Sequence, residues 1–406
     1  MHTSSSTRVI LGPGRDRSVL NRHPWVFSGA VARVEGDPQA GEIVPLQNAE
    51  GRVMGFGFYN PRSQIRLRLL AFGPDPIPVI GDFLDARLKA AVALRTGFFD
   101  AQSTAVRWVH GEGDGLPGLV VDRYGPILVV QFHTVGMARL RSLIVDSLRR
   151  LCDPVAIVER SPASKEEGLG AVSGVLWGTF SGRVEILEQG VRHWVDVIEG
   201  QKTGLFLDQR DNRQRVAQWV ARGMTQGTAR HGRGAQLLNC FSYTGGFSLS
   251  AALQGAITTS VDTSVAAQTL AQDNFALNGL HTADHRFETA DAFDWLHQCR
   301  ERYHFVVLDP PAFVKHRPSL DKGARAYKDI NRLGLRLLEA GGLLLTCSCS
   351  AHVNWDLFQK ILYAAAREAE RSVQVLGRYS QPIDHPFSLY HPEGEYLKTF
   401  LLRVVE

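Results

Sequence analysis

The stretch AQLLNCFSYTGGF, Ala235–Phe247, decides how this chain is read. Ala235–Phe241 is a short apolar run suited to a buried strand, and Thr244-Gly245-Gly246 turns it into a helix. Paired glycines let backbone approach a ligand closely. The spacing is not G-x-G-x-x-G, which argues against a hydride-transfer cofactor. Downstream, strands are expected at Thr258–Val261, Arg286–Thr289, Phe305–Leu308, Leu343–Cys347, Val373–Gly377 and Tyr396–Val405. Helices fall between them, at Ser264–Asn278, Ala292–Arg302, Gly323–Glu339 and Trp355–Glu370. Such alternation defines an α/β fold, a mostly parallel sheet wrapped on both faces. Only the loop Tyr379–Glu395 joins the last two strands, so the final one is expected to lie antiparallel.

Upstream, residues 7–72 are short β-type runs separated by Gly and Pro, as in a small barrel. A Pro-rich seam, Gly73–Asp82, reads as a linker. Residues 83–190 mix helix (Phe83–Phe99, Ala138–Leu151) with strand (Leu119–Asp122, Ile127–Phe132, Val155–Glu159), as in a small α+β domain. The expected domains are therefore 1–75, 76–192 and 193–406, with no repeats and no low-complexity tract beyond Ser4–Ser6.

A chain of 406 residues exceeds one ordinary core. Hydrophobic residues make up 44% and charged ones 21%, a globular mixture and not a disordered one. No window reaches the roughly 20 apolar residues of a membrane span, and the start resembles no signal peptide, so a cytoplasmic protein without membrane partners is expected. Five cysteines without paired C-x-x-C spacing suggest neither disulfides nor a metal site. Net charge is only +4, but residues 1–72 hold nine arginines and no lysine against five acids. The arginine fork suits phosphates and base edges, which points to RNA.

Ligands of such sheets sit outside the carboxyl ends of the strands. The loop Phe241, Ser242, Tyr243, Thr244, Gly245 and Gly246 stands at the first strand end. Asp262 ends the second, where a carboxylate suits ribose hydroxyls, and Thr263 or Ser264 can cap the following helix in its place. Asp291-Ala292 after the third suits an adenine amino group beside an apolar wall. The fourth ends Leu308-Asp309-Pro310-Pro311-Ala312-Phe313, where prolines stiffen the exit and Phe313 can stack on a flat ring.

The fifth strand ends Cys347-Ser348-Cys349-Ser350. Cytosine C5 is a poor nucleophile until a thiolate adds to C6, and a Cys at a strand tip beside the Asp309 loop is placed for that step. Cys347 lies nearer the strand interior and is assigned to the core; Cys349, at the mouth, is the candidate nucleophile. A free thiol has a pKa of about 8.5 and needs help to ionise; the positive charge of a sulfonium methyl donor, Lys315 and Lys328 are the candidates, and the sequence does not choose between them.

These motifs resemble a known family, the bacterial 23S ribosomal RNA large subunit methyltransferase I family. The likeness runs through Arg22–Ala30 (RHPWVFSGA), Gly111–Asp122 (GEGDGLPGLVVD), Gly200–Arg213 (GQKTGLFLDQRDNR), NCFSYTGGF, LDPPAF, Ala326–Asn331 and SCS. It implies an N-terminal PUA-like RNA-binding barrel, a small α+β middle domain and a class I (Rossmann-like) methyltransferase core with a mostly parallel seven-stranded sheet. It further implies S-adenosyl-L-methionine as cofactor, Cys349 as nucleophile, and a pocket of Phe241–Gly246, Asp262, Asp291 and Asp309, with Gln209 and Arg210 near the methionine end. Asp309 is also expected to hydrogen-bond the base. Lys commonly follows Asp-Pro-Pro in the family, where Ala312 stands here. Other RNA cytosine methyltransferases carry a second cysteine after the proline; none stands here, so product release proceeds otherwise.

The expected activity is methylation of a 23S rRNA cytosine at carbon 5, on naked RNA or an assembly particle. Alternatives are methylation of a guanine or adenine nitrogen or of uracil C5, and a non-catalytic RNA-binding assembly factor. The oligomeric state stays open, a homodimer among the options.

Overall fold

The computed structural model describes residues 7–77, 79–97, 100–223 and 234–405; Ser4–Ser6 and Phe99 lie outside them. The chain forms two compact units. The first comprises Met1–Leu187, Val195–Leu207 and Ile383–Gly394, the second Glu188–Trp194, Asp208–Pro382 and Glu395–Glu406.

The first unit begins with β1 (Arg8–Leu11), α1 (Arg17–Leu20), β2 (Trp25–Phe27), β3 (Val31–Glu35), β4 (Ile43–Gln47), β5 (Val53–Tyr59) and β6 (Ile65–Phe72). Six strands form one sheet in the order β2-β6-β5-β4-β1-β3 around Val9, Val26, Val44, Leu46 and Leu67. Gly57 makes the β5/β6 crossing possible, since a Cβ there would lie 2.3 Å from the Arg68 carbonyl oxygen. Next come α2 (Ile80–Thr96), β7 (Ala105–His110), β8 (Leu119–Tyr124), β9 (Ile127–Phe132), α3 (Val135–Arg139), α4 (Arg141–Cys152), β10 (Ala156–Ser161) and β11 (Val172–Gly178). The sheet order is β11-β10-β9-β8-β7. All six residues of β9 are buried because both faces are covered. Leu128, Val130 and Phe132 join the core that includes Leu84, Leu88, Ile144 and Leu148 of α2 and α4, whereas Ile127 and Val129 face Val184, Ile186 and Val195. Those last residues belong to a hairpin of β12 (Arg183–Glu188) and β13 (Val191–Asp196).

The second unit contains α5 (Arg210–Ala221), β14 (Gln236–Cys240), α6 (Gly246–Ala252), β15 (Ile257–Asp262), α7 (Val265–Leu277), β16 (Arg286–Thr289), α8 (Ala292–Gln298), β17 (Tyr303–Leu308), α9 (Leu320–Arg336), β18 (Leu338–Ser348), α10 (Trp355–Glu368), β19 (Val373–Tyr379) and β20 (Lys398–Val404). Its seven strands are ordered β16-β15-β14-β17-β18-β20-β19, with β20 antiparallel to both neighbours and β16 through β18 parallel. Alternation assigns the two faces. Leu238, Val306, Leu344 and Leu402 pack under Ile330, Leu333, Phe358 and Ile361 of α9 and α10. Leu237, Val307, Leu345 and Cys347 pack under Val216, Phe247 and Ala251 of α5 and α6. Among the described residues no helix is long and apolar enough to cross a membrane.

Candidate active site

Parallel register sets the site. Cys240 is level with Val261 and Leu308, Asp262 with Thr289, and Leu308 with Thr346. Phe241, Asp262, Asp309 and Cys347 therefore emerge at one level of the sheet's carboxyl edge, with Asp291 and Cys349 just beyond it.

The loop after β14 is strained. Phe241 and Tyr243 have φ of 61° and 47°, and Gly245 has 76°. Left-handed non-glycine residues cost about 1–3 kcal/mol each and persist only when their surroundings impose them. Here Asp262 does so: its Oδ2 accepts the Tyr243 N–H at 2.8 Å, while the Ser242 N–H donates to the Val261 carbonyl at 3.0 Å. Asp262 Oδ1 accepts the Ser264 N–H at 2.9 Å, and Ser264 itself caps α7 through the Ala267 N–H. Asp291 caps α8, accepting the Phe293 and Asp294 N–H groups through Oδ1. Asp262 is half-buried and Asp291 exposed. Phe313 lies 6.4 Å from Phe241, 5.8 Å from Phe293 and 4.7 Å from Tyr327 between ring centroids, which makes one aromatic wall.

Asp309 Oδ1 accepts from Gln209 Nε2 at 2.9 Å, and Gln209 Oε1 accepts from Asn212 at 2.6 Å. Arg210 is buried with its Nε 3.8 Å from Glu188, which Arg213 grips with two 2.6 Å bonds. Asp208, in the same segment, accepts the Tyr396 hydroxyl at 2.8 Å.

The Ser348-Cys349-Ser350 tip differs from residue to residue. Both serines are fully buried and Cys349 is only partly so. Ser350 Oγ accepts the Val314 N–H at 3.2 Å and lies 2.9 Å from the Tyr327 hydroxyl, so the residue that follows Cys349 is anchored. Cys347 is sealed, 3.4 Å from Thr399, and burial followed by the Asp309 charge pushes its thiol well above the usual range. That matches its assignment to the core.

The cation beside Cys349 is one that the sequence reading missed. Lys328 is engaged with Glu368 at 2.8 Å, and Lys315 is exposed. Lys398 instead pairs across from Ser348 in β20, is 3% exposed, and donates to the carbonyls of Ser350 (2.9 Å) and Tyr396 (2.7 Å). Burial lowers its pKa to about 8, against the opposing pull of Cys349 and Glu395. A lysine at the start of a strand whose centre is apolar, KTFLLRV, was the available signal. Among the described residues no cluster of His, Cys, Asp or Glu could hold a metal ion.

Residues 171–403 match the S-adenosylmethionine-dependent methyltransferase family, and residues 9–72 match the PUA-like domain family. Fold and family matches are thus those of an S-adenosylmethionine-dependent methyltransferase with a PUA-like domain. The chain is 41% identical to the ribosomal RNA large subunit methyltransferase I of Erwinia tasmaniensis, over 98% of this chain and 100% of that protein. It is 40% identical to the Klebsiella pneumoniae protein of the same name, over 100% of both. The chain belongs to the ribosomal RNA large subunit methyltransferase I family. Among solved structures, a proposed methyltransferase from Streptococcus mutans superposes with a TM-score of 0.83 at 23% identity, over 98% of this chain and 100% of that one. A further methyltransferase structure, complexed with S-adenosylhomocysteine, superposes at 0.84 with the same identity and coverage. Both share the fold.

Proposed function

We propose that this methyltransferase modifies a cytosine of 23S rRNA at carbon 5, with Cys349 as the transient nucleophile. The observation that carries the reading is the partly exposed Cys349, set between two buried serines and neighboured by the buried Lys398. The donor set fits the cofactor. Asp262 and Asp291 retain acceptor capacity for hydroxyls and an amine, Ala292 and the Phe241–Phe313 wall suit a flat ring, and the Ser242–Gly246 backbone with Thr263 and Ser264 lines the approach. Gln209 and Arg210 serve the methionine end. Bound there, S-adenosylmethionine supplies an electrophilic methyl group.

The residues then act in order. Cys349 Sγ, as thiolate, bonds to C6 of the cytosine, and the C5–C6 π electrons move toward N3. The Asp309 carboxyl, oriented by Gln209, hydrogen-bonds the base edge and holds the ring. C5, now electron-rich, takes the methyl group. Loss of the C5 proton to a base then restores the double bond and expels the Cys349 thiolate. Lys398 favours the thiolate by charge and so acts as a positioning residue. The target base must leave its stack to reach a thiol at a strand tip.

Nucleoside mass analysis of 23S rRNA treated with enzyme and cofactor tests the reading. 5-Methylcytidine is expected; a methylated purine, 5-methyluridine or no product contradicts it. Asp262→Ala is expected to raise the cofactor Kd about tenfold to a hundredfold by calorimetry, because hydrogen bonds to a charged acceptor contribute about 1.5–3 kcal/mol. An unchanged Kd would remove Asp262 from the pocket. For Lys398 the sign is fixed by its lowered pKa: the ammonium is present below about pH 8 and lost above it. The wild-type rate should therefore fall on the alkaline side near that value. Lys398→Met should lack this fall and shift the Cys349 alkylation midpoint upward by about one pH unit. Identical alkylation profiles would refute the role.

A further inference from the structure

Two motifs that carry the family resemblance, Arg22–Ala30 and Gly111–Asp122, take no part in the methyl-transfer site, and in the first unit they line a cleft of about 240 Å³. We propose that this cleft is a second base-binding pocket, which captures an unstacked nucleotide of the RNA substrate other than the reacting cytosine. The proposal rests on the reading that RNA is the substrate.

Glu112 forms the cleft's polar centre. Its Oε1 accepts from Trp25 Nε1 at 2.7 Å and from Arg68 at 3.0 Å, and Arg68 also bonds Glu167 at 3.1 Å. The Arg68 guanidinium carbon stands 5.2 Å from the Trp25 ring centroid. The His391 ring meets Trp25 edge-on at 4.4 Å between centroids. His391 is only 5% exposed, yet its Nε2 has no hydrogen-bond partner, the nearest carboxylate being Glu393 at 3.8 Å. Arg68 Nε is likewise buried without a partner. Two buried polar atoms that line the cleft therefore keep hydrogen-bonding capacity that a polar ligand could use.

The walls are built before any ligand arrives. Arg95 clamps Asp114 with bonds of 2.6 and 2.8 Å and also donates to the Asp384 carbonyl at 3.1 Å. Gly113 touches the neighbouring segment so closely that a Cβ would lie 2.0 Å from the Pro386 carbonyl oxygen. A preformed cleft lined by Trp25, Phe387 and three histidine rings, with a few convergent polar groups, suits a flat heterocycle. Phosphate fits worse, because Glu112 and Glu167 already balance Arg68. No metal cluster exists among the described residues. An RNA base offers a stacking face together with ring donors and acceptors, as single-strand readers require. Phe27, 6.2 Å from Trp25 between ring centroids, is exposed and supplies a ring for an adjoining base, and Arg22, next in sequence to His23, is exposed with no ion pair among the described residues and supplies charge for the backbone.

The test uses the full chain without cofactor, a 23S rRNA transcript for filter binding, and AMP, GMP, CMP and UMP for saturation-transfer NMR. His391→Leu probes the unpaired nitrogen. Phe387→Ala, at a partly exposed wall, keeps the test available should the first variant fail to fold. We expect base-proton signals from at least one mononucleotide with the wild type, their loss in the folded variants, and about a tenfold rise in transcript Kd, with cofactor affinity unchanged. Wild-type transcript affinity in a folded variant would overturn the proposal, and so would base signals that survive both substitutions. Mononucleotide binding without any effect on the transcript would mark a free-nucleotide site and overturn the RNA assignment. Failure of the methylation reading would show separately, as absence of 5-methylcytidine from wild-type product.

Discussion

Cys349→Ala should lower methyl transfer to 23S rRNA by at least about a thousandfold, since a covalent route loses its first bond with its nucleophile. Single-turnover transfer of labelled methyl groups measures it. Cofactor binding and melting temperature should not change, because Cys349 is half-buried and the neighbouring backbone is held by Ser350, Val314 and Tyr327. Cys347→Ala is the informative companion. That thiol is sealed among Leu345, Phe247 and Leu401, and burial holds it protonated. Its loss should cost stability by leaving a small cavity, while the surviving folded enzyme keeps its rate. Equal catalytic losses in both variants would show that the strand tip is misassigned. Retained methylation in Cys349→Ala would point to the nitrogen-methylating alternative, which needs no thiol.

The second large effect is expected in stability, at the buried charge cluster of the second unit. Glu188 receives two 2.6 Å bonds from Arg213, and both side chains are only 4% exposed. Burial alone would raise the Glu188 carboxyl, but Arg213 and then Arg210 outweigh it and hold the group below its ordinary value. Arg213→Leu leaves a buried carboxylate poorly compensated and should cost about 3–5 kcal/mol in denaturant unfolding. Replacing both partners with apolar residues should restore much of the loss. Acid should act in the same region through His193, which is fully buried and lowered to about 4 chiefly by desolvation. Its folded pKa lies below the unfolded one, so the unfolded chain binds the extra proton between about pH 6.5 and 4. Stability contributed by neutral His193 is complete above that window and is lost as pH falls through it. A wild-type unfolding curve that is flat between pH 7 and 4 would contradict this.

What could be read in the sequence follows from how local each signal is. The strands of the second unit were legible because apolar runs such as Phe305–Leu308 are framed by periodic helices, and the antiparallel last strand followed from a connection that holds a loop and no helix. The helix after Gly246 and the Ser264 cap were equally local. The β12–β13 hairpin was overlooked, although Gln189 and Gly190, with φ of 52° and 83°, supply the two left-handed residues that a tight hairpin needs. Lys398 was invisible for a different reason: its nearness to Cys349 exists only through the pairing of Ser348 with Lys398, 50 positions apart. The N-terminal arginines show the same limit. Charge counting treated nine alike, yet Arg8 and Arg33 bind Glu35, Arg66 binds the Asn60 and Pro61 carbonyls, and Arg68 binds Glu112 and Glu167. Composition indicates an RNA-binding tendency; partners distant in sequence decide which side chains remain available for it.

The central claim, a bond between Cys349 and C6 of a cytosine, is tested most directly with 23S rRNA transcribed with 5-fluorocytidine. Fluorine at C5 cannot leave as a proton does, so the adduct persists after the methyl group has transferred. The account predicts a denaturation-resistant protein–RNA complex that requires cofactor, with peptide mass analysis locating the link at Cys349, and none from Cys349→Ala. Methylation of ordinary 23S rRNA with no trapped complex, or a link at another residue, would contradict it.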